Sequence, residues 1–434
     1  MIRSALVAMG LFASIATAGP LPLPGAEFPA PVMEEVLLGQ LLFYDPILSG
    51  SKTVSCATCH HPRFATSDGV SLGLGDGGMG LGPNRQHNPE NPPEKRIPRN
   101  APALFNLGAR EFTVFFHDGR LEADSSRPGG IRTPLGREME QGFASALAAQ
   151  AMFPVLSGDE MAGHYSENEV AQAVRQGVLT GEGGAWDLLA KRVEAIPTYR
   201  AMFNPVIGKG TPVAFTDIAN VIASFIAFEW RADNSVFDRY LRDGTPLPEP
   251  AMRGMDLFYG SAGCASCHSG LFQTDHGFHA IAMPQIGPGK SARFESHSRD
   301  TGRMRVTGNP EDAYKFRTPS LRNITRTGPY GHAGSYATLE AVIWHHSDPV
   351  KSLMRYDAEQ AILPGDRFPD DFRLYANLKE LAAIAGANEL APTELSNRQI
   401  ADLIAFLTTL EDREALNGRL GIPQTVPSGL TVDQ

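Results

Sequence analysis

Two short motifs constrain the fold of this chain more than any other feature. Residues 56–60 read Cys-Ala-Thr-Cys-His and residues 264–268 read Cys-Ala-Ser-Cys-His, and together they contain all four cysteines. In the pattern C-x-x-C-H, both thiols attach to a haem as thioethers and the histidine binds the iron. A zinc site built from both motifs would leave the two histidines without a role, and a thioredoxin-type redox motif would need only one cysteine pair. The residues predicted to hold two covalent c-type haems are the cysteines Cys56, Cys59, Cys264 and Cys267, which attach the porphyrins, and the histidines His60 and His268, which bind the irons.

A chain of 434 residues is long enough for two domains, and its 44 glycines and 33 prolines indicate long irregular connections. The order helix, glycine-rich turn, C-x-x-C-H occurs twice. We therefore expect a mainly α fold of two cytochrome c-like helical domains, each with one haem. The expected divisions are a signal peptide (1–18), a proline-rich leader (19–32), an N-terminal haem domain (33–245), a C-terminal haem domain (250–412) and a tail (413–434).

The first 18 residues have the three parts of a secretory signal peptide. Arg3 supplies the positive charge, Ala5 to Ala13 form an apolar run, and small residues precede Gly19. A retained anchor is the alternative interpretation. Export to a bacterial periplasm suits haem attachment to thiols, and no later apolar stretch is long enough for a membrane span. The net charge of −10 argues against nucleic-acid partners and favours a basic or neutral redox protein.

Apolar residues recur at helical spacing in several segments. The first predicted helix begins at Met33 and stops near Asp45-Pro46. The other predicted helices are 167–178, 215–230, 251–259 and 396–410. Between these helices, residues 73–98 form a glycine- and proline-rich loop without periodicity, which is typical of a functional or mobile segment. Its one histidine, His87, is either a solvated loop residue or a displaceable sixth ligand of the first haem iron.

Beyond the haem motifs, the chain resembles the bacterial dihaem cytochrome c peroxidases and the related MauG-type enzymes. The order and spacing of several further motifs carry this resemblance. The matching segments are 38–49, Arg99–Pro102, Asp118–Arg120, Glu138–Met139, Phe237–Tyr240, Arg317–Asn323 and Thr327–Tyr330.

The resemblance implies a peroxide-reacting haem in the N-terminal domain and a distal glutamate that moves protons. That role maps onto Glu138, although a surface glutamate paired with Arg137 is the alternative. The family's tryptophan before Asp-Gly-Arg lies between the haems, and this chain has His117 there. Imidazole is harder to oxidise than indole and can titrate near neutral pH. The family's distal glutamine has no clear counterpart.

For the second haem, the resemblance implies an electron store whose sixth ligand is methionine in the peroxidases and tyrosine in MauG-type enzymes. The position maps onto His346, so we expect His268 and His346 on one iron. Such a pair should have a lower potential than a His/Met site. The family also binds calcium between its domains, and the matching residues are Asn100, Thr327 and Pro329.

Three functions remain open. The first is a periplasmic peroxidase that reduces hydrogen peroxide with electrons from a small cytochrome c or cupredoxin, and the resemblance implies a homodimer for it. The second is a MauG-like enzyme that uses peroxide to oxidise a side chain of a partner protein. The third is a dihaem electron carrier without catalytic activity, against which a distal proton-transfer group would argue.

Overall fold

The computed structural model describes residues 19–164, 167–290 and 297–434; the predicted signal peptide lies outside them. Helices dominate this part of the chain. The α-helices are Met33–Tyr44 (α1), Cys56–Cys59 (α2), Ala146–Ala151 (α3), Glu169–Gln176 (α4), Ala185–Glu194 (α5), Pro197–Ile207 (α6), Phe215–Glu229 (α7), Val236–Asp243 (α8), Glu249–Tyr259 (α9), Met304–Thr307 (α10), Leu339–Ser347 (α11), Pro349–Met354 (α12), Leu378–Gly386 (α13), Asn397–Thr408 (α14) and Arg413–Asn417 (α15).

All five predicted helices are confirmed, as α1, α4, α7, α9 and α14, and their ends differ from prediction by at most two residues. The first helix ends where expected, because Pro46 cannot continue it and the Asp45 side chain accepts a hydrogen bond from the Ile47 N–H (2.9 Å). The last of the five begins with a capping box, in which Ser396 and Gln399 bond each other's backbone N–H groups.

The two halves repeat one packing arrangement. In each, the helix before the haem motif crosses a later helix through a glycine: Gly39 lets α1 approach α7, and Gly254 lets α9 approach α14. A Cβ at Gly39 would overlap the carbonyl oxygen of Val221, and one at Gly254 would overlap that of Asp402. Backbones this close require glycine, so each crossing fixes where its haem motif begins.

The buried cores show where each half ends. Phe237 on α8 is fully buried against Phe406 of α14 (ring centres 5.2 Å apart), so α8 packs into the C-terminal core although the predicted boundary lay after it. The tail returns to the N-terminal core, where Val426 and Val432 are buried and the Ser428 hydroxyl donates to Asp45 (2.7 Å). Burial of these apolar side chains stabilises both contacts.

Strands are short and antiparallel. They form the sheets β1–β2, β3–β4–β5 and β6–β7. Their bounds are Gly78–Met79 (β1), Gln86–His87 (β2), Val114–Phe115 (β3), Leu121–Ala123 (β4), Ile131–Arg132 (β5), Phe278–His279 (β6) and Phe316–Arg317 (β7).

Two buried arginines hold the irregular loop 73–98 in place. Arg85 donates to the carbonyl oxygens of Leu74 and Gly75 (2.6 and 2.7 Å) within the loop. Arg96, fully buried, pairs with Asp371 of the C-terminal half (2.7 Å). In the described residues, no helix is both long and apolar enough to cross a membrane.

The glycine crossings predict that alanine at a crossing lowers the free energy of unfolding, the opposite of its usual effect in a helix. Alanine normally stabilises a helix by about 1 kcal/mol relative to glycine. We expect Gly254→Ala instead to lower the free energy of unfolding by about 1–3 kcal/mol, because its Cβ overlaps backbone that cannot move aside. Urea unfolding of the haem-loaded protein measures this.

The matched control is Gly386→Ala on α13, where an added Cβ meets nothing within 4 Å. It should leave stability unchanged or raise it slightly. Equal effects of the two substitutions would contradict the close-crossing argument.

Candidate functional site

The first haem motif lies on the short helix α2 and is held from both ends. Ser55 and Thr58 cap the helix reciprocally, and the Thr58 hydroxyl donates to Asp433 of the tail (2.7 Å). His60 follows the helix, and its Nδ1 lies 3.0 Å from the carbonyl oxygen of Thr66. Since a carbonyl only accepts, Nδ1 carries the hydrogen and Nε2 keeps a free lone pair, as an iron ligand requires.

Both cysteines and the histidine of this motif line one cavity. Apolar side chains such as Leu104, Leu147 and Ile222 make up much of the wall. A mostly apolar cavity with two thiols and an imidazole at its edge fits a covalent haem.

Charged groups gather in the same cavity. Glu160 and Asp68 are its carboxyl groups, and Arg120 and Lys290 are cations that line it. Burial raises the pKa of Glu160, against the opposing charges of Lys290 and Arg120, and it raises the pKa of Asp68 to about 7. Burial and nearby Arg120 lower the pKa of Lys290 to about 8. The carboxyl of Asp68 and the ammonium of Lys290 can therefore exchange protons near neutral pH.

One wall of the cavity is fixed by a buried ion-pair network. Arg99 contacts Asp118 (2.8 Å) and grips both carboxylate oxygens of Asp300 (2.7 and 2.8 Å). Arg120 also binds Asp118 (3.1 Å) and lies over the ring of Phe116, 3.5 Å from its centre. Two cations and two anions balance here, and the pair of Arg99 with Asp300 joins this wall to the C-terminal half.

His117 lines this wall, next to Asp118. Its Nε2 lies 3.0 Å from the carbonyl oxygen of Asn100, and its own carbonyl accepts from the Arg317 N–H (2.8 Å). Burial, together with the charge of Arg99, lowers the pKa of His117 to about 4. The expectation that this imidazole titrates near neutral pH is therefore wrong: His117 is neutral there.

The second haem motif has an imidazole facing its histidine. The ring centres of His268 and His346 are 6.5 Å apart. Two imidazoles that share one metal ion through bonds of about 2 Å have centres roughly 6 Å apart. In both rings Nδ1 lies near a backbone carbonyl, that of Gln273 for His268 (3.0 Å) and that of Val342 for His346 (2.7 Å), so each Nε2 is free to bind a metal.

The neighbouring His345 is differently placed. Its Nδ1 contacts the Tyr336 hydroxyl (2.9 Å) and its Nε2 contacts the carbonyl oxygen of Ile281 (2.7 Å). Both nitrogens of this fully buried ring are engaged, which leaves His346 as the ligand-competent histidine of α11.

Comparison with known proteins agrees with this geometry. Residues 33–245 match the family model of di-haem cytochrome c peroxidases. The chain is 30% identical to the methylamine utilization protein MauG of Methylorubrum extorquens over 386 residues, which cover 88% of this chain and 79% of that protein. This protein belongs to the di-haem cytochrome c peroxidase and MauG family. It is an oxidoreductase, and its family uses c-type haems as cofactors.

Other members of the family are similar over most of their length. The cytochrome c551 peroxidase of Nitrosomonas europaea is 29% identical over 307 residues, 70% of either chain. A crystal structure of a MauG-like protein associated with microbial copper homeostasis superposes with a TM-score of 0.57 at 25% identity and covers 94% of this chain and 97% of that one. The relatives thus include both peroxidases and MauG proteins.

The structure does not bring two of the predicted residues to the cavity. Glu138 is exposed at the end of the turn Gly136–Glu138, and Glu160 occupies the cavity instead. The dipeptide Glu-Met occurs twice in the chain, at 138–139 and 160–161. The neighbouring residues in the sequence do not show which of the two glutamates lines the cavity. His87 packs on Phe368 (ring centres 5.1 Å apart) and is not among the residues that line the cavity.

The predicted calcium residues lie in both halves. Asn100 is buried, and its side-chain amide donates to the carbonyl oxygen of Val70 (2.8 Å). Thr327 and Pro329 follow the turn Ile324–Arg326 in the C-terminal half. A calcium ion at these residues stays a prediction.

The facing imidazoles generate a spectroscopic prediction. Replacing His346 with alanine should convert the second haem from six-coordinate low-spin absorption to a high-spin or water-ligated spectrum, because the group opposite His268 is lost. Electronic absorption and electron paramagnetic resonance of the oxidised protein measure the change.

The adjacent variant His345→Gln is the control, since that ring has both nitrogens bonded to protein. It should keep the low-spin spectrum. An unchanged spectrum for His346→Ala would show that another group completes the coordination.

Proposed function

We propose that this protein is a periplasmic dihaem peroxidase. It reduces one hydrogen peroxide to two waters with two protons and two electrons, and a small cytochrome c or cupredoxin supplies the electrons. A haem held by Cys264, Cys267 and His268 would serve as the electron store. A haem held by Cys56, Cys59 and His60 would supply an iron that binds and reduces peroxide.

The observation that carries the proposal is Glu160 in the same cavity as the first haem motif. Cleavage of the peroxide bond needs a group that takes a proton from one oxygen and returns it to the other. A carboxyl with a pKa raised by burial suits this task, since its protonated form persists to higher pH than that of an exposed glutamate. An electron carrier has no use for such a group.

Cations beside Glu160 support the same assignment. Arg120 is held by Asp118 and Phe116, so its position along the cavity wall is fixed. Lys290 adds a second positive charge that changes with pH. Fixed positive charge stabilises anionic oxygen as it develops, and it opposes the rise in the pKa of Glu160 that burial causes.

His117 is the proposed bridge between the haems. It lines the first cavity, and its carbonyl bonds Arg317 of the C-terminal half. A neutral imidazole held at both its ring and its backbone gives a rigid contact between the halves without a redox step of its own.

A MauG-like reaction is the second candidate. It is favoured by the 30% identity to a MauG protein and by His346, because a bis-histidine second haem would accept electrons poorly from a high-potential donor. Peroxide would then be used to oxidise a side chain of a partner protein, and Glu160 would serve the same proton transfer.

The proposal has three further parts. They are export to the periplasm, one calcium ion at Asn100, Thr327 and Pro329, and assembly as a homodimer. The sequence of residues 1–18 and the covalent haem chemistry support export. Calcium would bind oxygen ligands from both halves, which fits its preference for carbonyl groups.

Glu160 gives the sharpest test of peroxide chemistry. Glu160→Gln should lower kcat/KM for hydrogen peroxide by roughly 10²- to 10⁴-fold at unchanged haem content, because the amide cannot move the proton. Glu138→Gln is the matched control and should behave as the wild type. The reverse ranking of the two variants would refute the assignment.

The pH dependence gives a second test. If Glu160 must be ionised to accept a proton from peroxide, kcat/KM rises with pH through its pKa, which burial moves above the ordinary 4.5. We expect an acid limb above pH 4.5 that Glu160→Gln abolishes. Asp68→Asn is the control for the other carboxyl, and loss of the limb in that variant would transfer the role to Asp68.

Rapid mixing separates the two candidate reactions. Fully oxidised, calcium-loaded protein is mixed with peroxide, and the absorption is followed from milliseconds to minutes. A peroxidase that needs prior reduction should react only after one electron is added and should then oxidise a reduced cytochrome c catalytically. A fast, long-lived spectral change in the oxidised protein, with no turnover of reduced cytochrome, would favour the MauG-like reaction.

A further inference from the structure

Outside the haem sites, three side chains converge beside the irregular loop. Asp76 lies in the loop, and His164 and Glu167 follow the π-helical turn Gly158–Ala162. One ligand atom from each of the three lies within 4.8 Å of the others. Gly163 borders the same space: a Cβ there would lie 3.4 Å from Asp76 Oδ2 and 3.3 Å from Glu167 Oε2.

Asp76 has an unsatisfied oxygen that points to a missing partner. Its side chain is 0% exposed, and among the residues that the structure describes Oδ2 has no hydrogen-bond partner. Oδ1 is accounted for, since it accepts from the hydroxyl groups of Ser51 and Thr53. A buried carboxylate oxygen without a partner is costly, and native proteins normally satisfy it with a donor, a water or a metal ion.

The surrounding donors suit a metal ion. His164 Nδ1 lies 3.1 Å from Glu167 Oε1 and 3.4 Å from Asn91 Oδ1, so an imidazole nitrogen already faces oxygen ligands. One imidazole and two carboxylates form a ligand set of the kind that Zn²⁺ takes, with a fourth position left for water. Mg²⁺ and Ca²⁺ prefer oxygen ligands alone.

We propose that Asp76, His164 and Glu167 bind one Zn²⁺ ion. The proposed site is next to the segment that carries Glu160. The Asp76 N–H donates to the Glu160 carbonyl oxygen (3.0 Å), and this bond links the loop 73–98 to that segment. Metal binding would therefore stiffen the backbone beneath the cavity. The proposal concerns these side chains alone and does not depend on the proposed reaction.

The test is a Zn²⁺ titration of the haem-loaded protein by calorimetry, in excess Ca²⁺ so that any calcium site is filled. The wild type should bind one Zn²⁺ ion, and metal analysis after gel filtration should recover it. Asp76→Asn and His164→Gln should each weaken binding by at least roughly 100-fold, since even outer-shell partners of a metal contribute 10- to 100-fold.

His279→Gln is the matched control. His279 is also a histidine between carboxylates, 2.8 Å from Asp275 and 3.7 Å from Glu389, and its loss should leave the Zn²⁺ affinity unchanged. Two ligands are replaced separately, so that misfolding of one variant does not decide the result. Asp76→Asn keeps the side-chain oxygen that accepts from the Ser51 and Thr53 hydroxyls. Wild-type affinity in both Asp76→Asn and His164→Gln, or no Zn²⁺ binding by the wild type, would overturn the proposal.

Discussion

The buried guanidinium of Arg99 is the interaction on which the rest of the structure depends. It lies between Asp118 of the N-terminal half and Asp300 of the C-terminal half, and all three side chains are almost fully buried. Removing one member of such a network strands the others at a cost of several kcal/mol. The halves are therefore held in one relative position. Because Asp118 also holds Arg120 and adjoins His117, the same network fixes one wall of the cavity.

The two halves share a plan but differ where chemistry is concerned. Both use a glycine-mediated helix crossing before the motif, and both orient the motif histidine by an Nδ1–carbonyl hydrogen bond. The first motif faces a cavity with ionisable groups, whereas the second faces the imidazole of His346. One fold thus provides a cavity lined by ionisable groups and a site where two imidazoles face each other. This difference supports a division between peroxide reduction and electron storage.

The sequence predicted what depends on local periodicity or covalent chemistry. Helix α1 and the haem motifs follow from residue spacing alone, and the family was confirmed. What it could not predict depends on tertiary packing. Glu138 and Glu160 stand in the same dipeptide, yet only the second lies on a turn that faces the cavity. The packing of α8 is of the same kind, since burial of Phe237 against the last long helix is invisible to local composition.

Hydrogen bonds to the backbone around Glu160 hold the short turn Gly158–Ala162 in place at the edge of the cavity. The turn Gly158–Ala162 is π-helical, a conformation that leaves carbonyl groups available and often occurs at functional sites. Two of these carbonyls are bonded from outside: that of Glu160 by the Asp76 N–H (3.0 Å) and that of Met161 by the Gly50 N–H (2.8 Å). The main chain is thus anchored to two separate loops. The carboxyl can therefore change its charge while its backbone stays in place, which is what a group that passes protons requires.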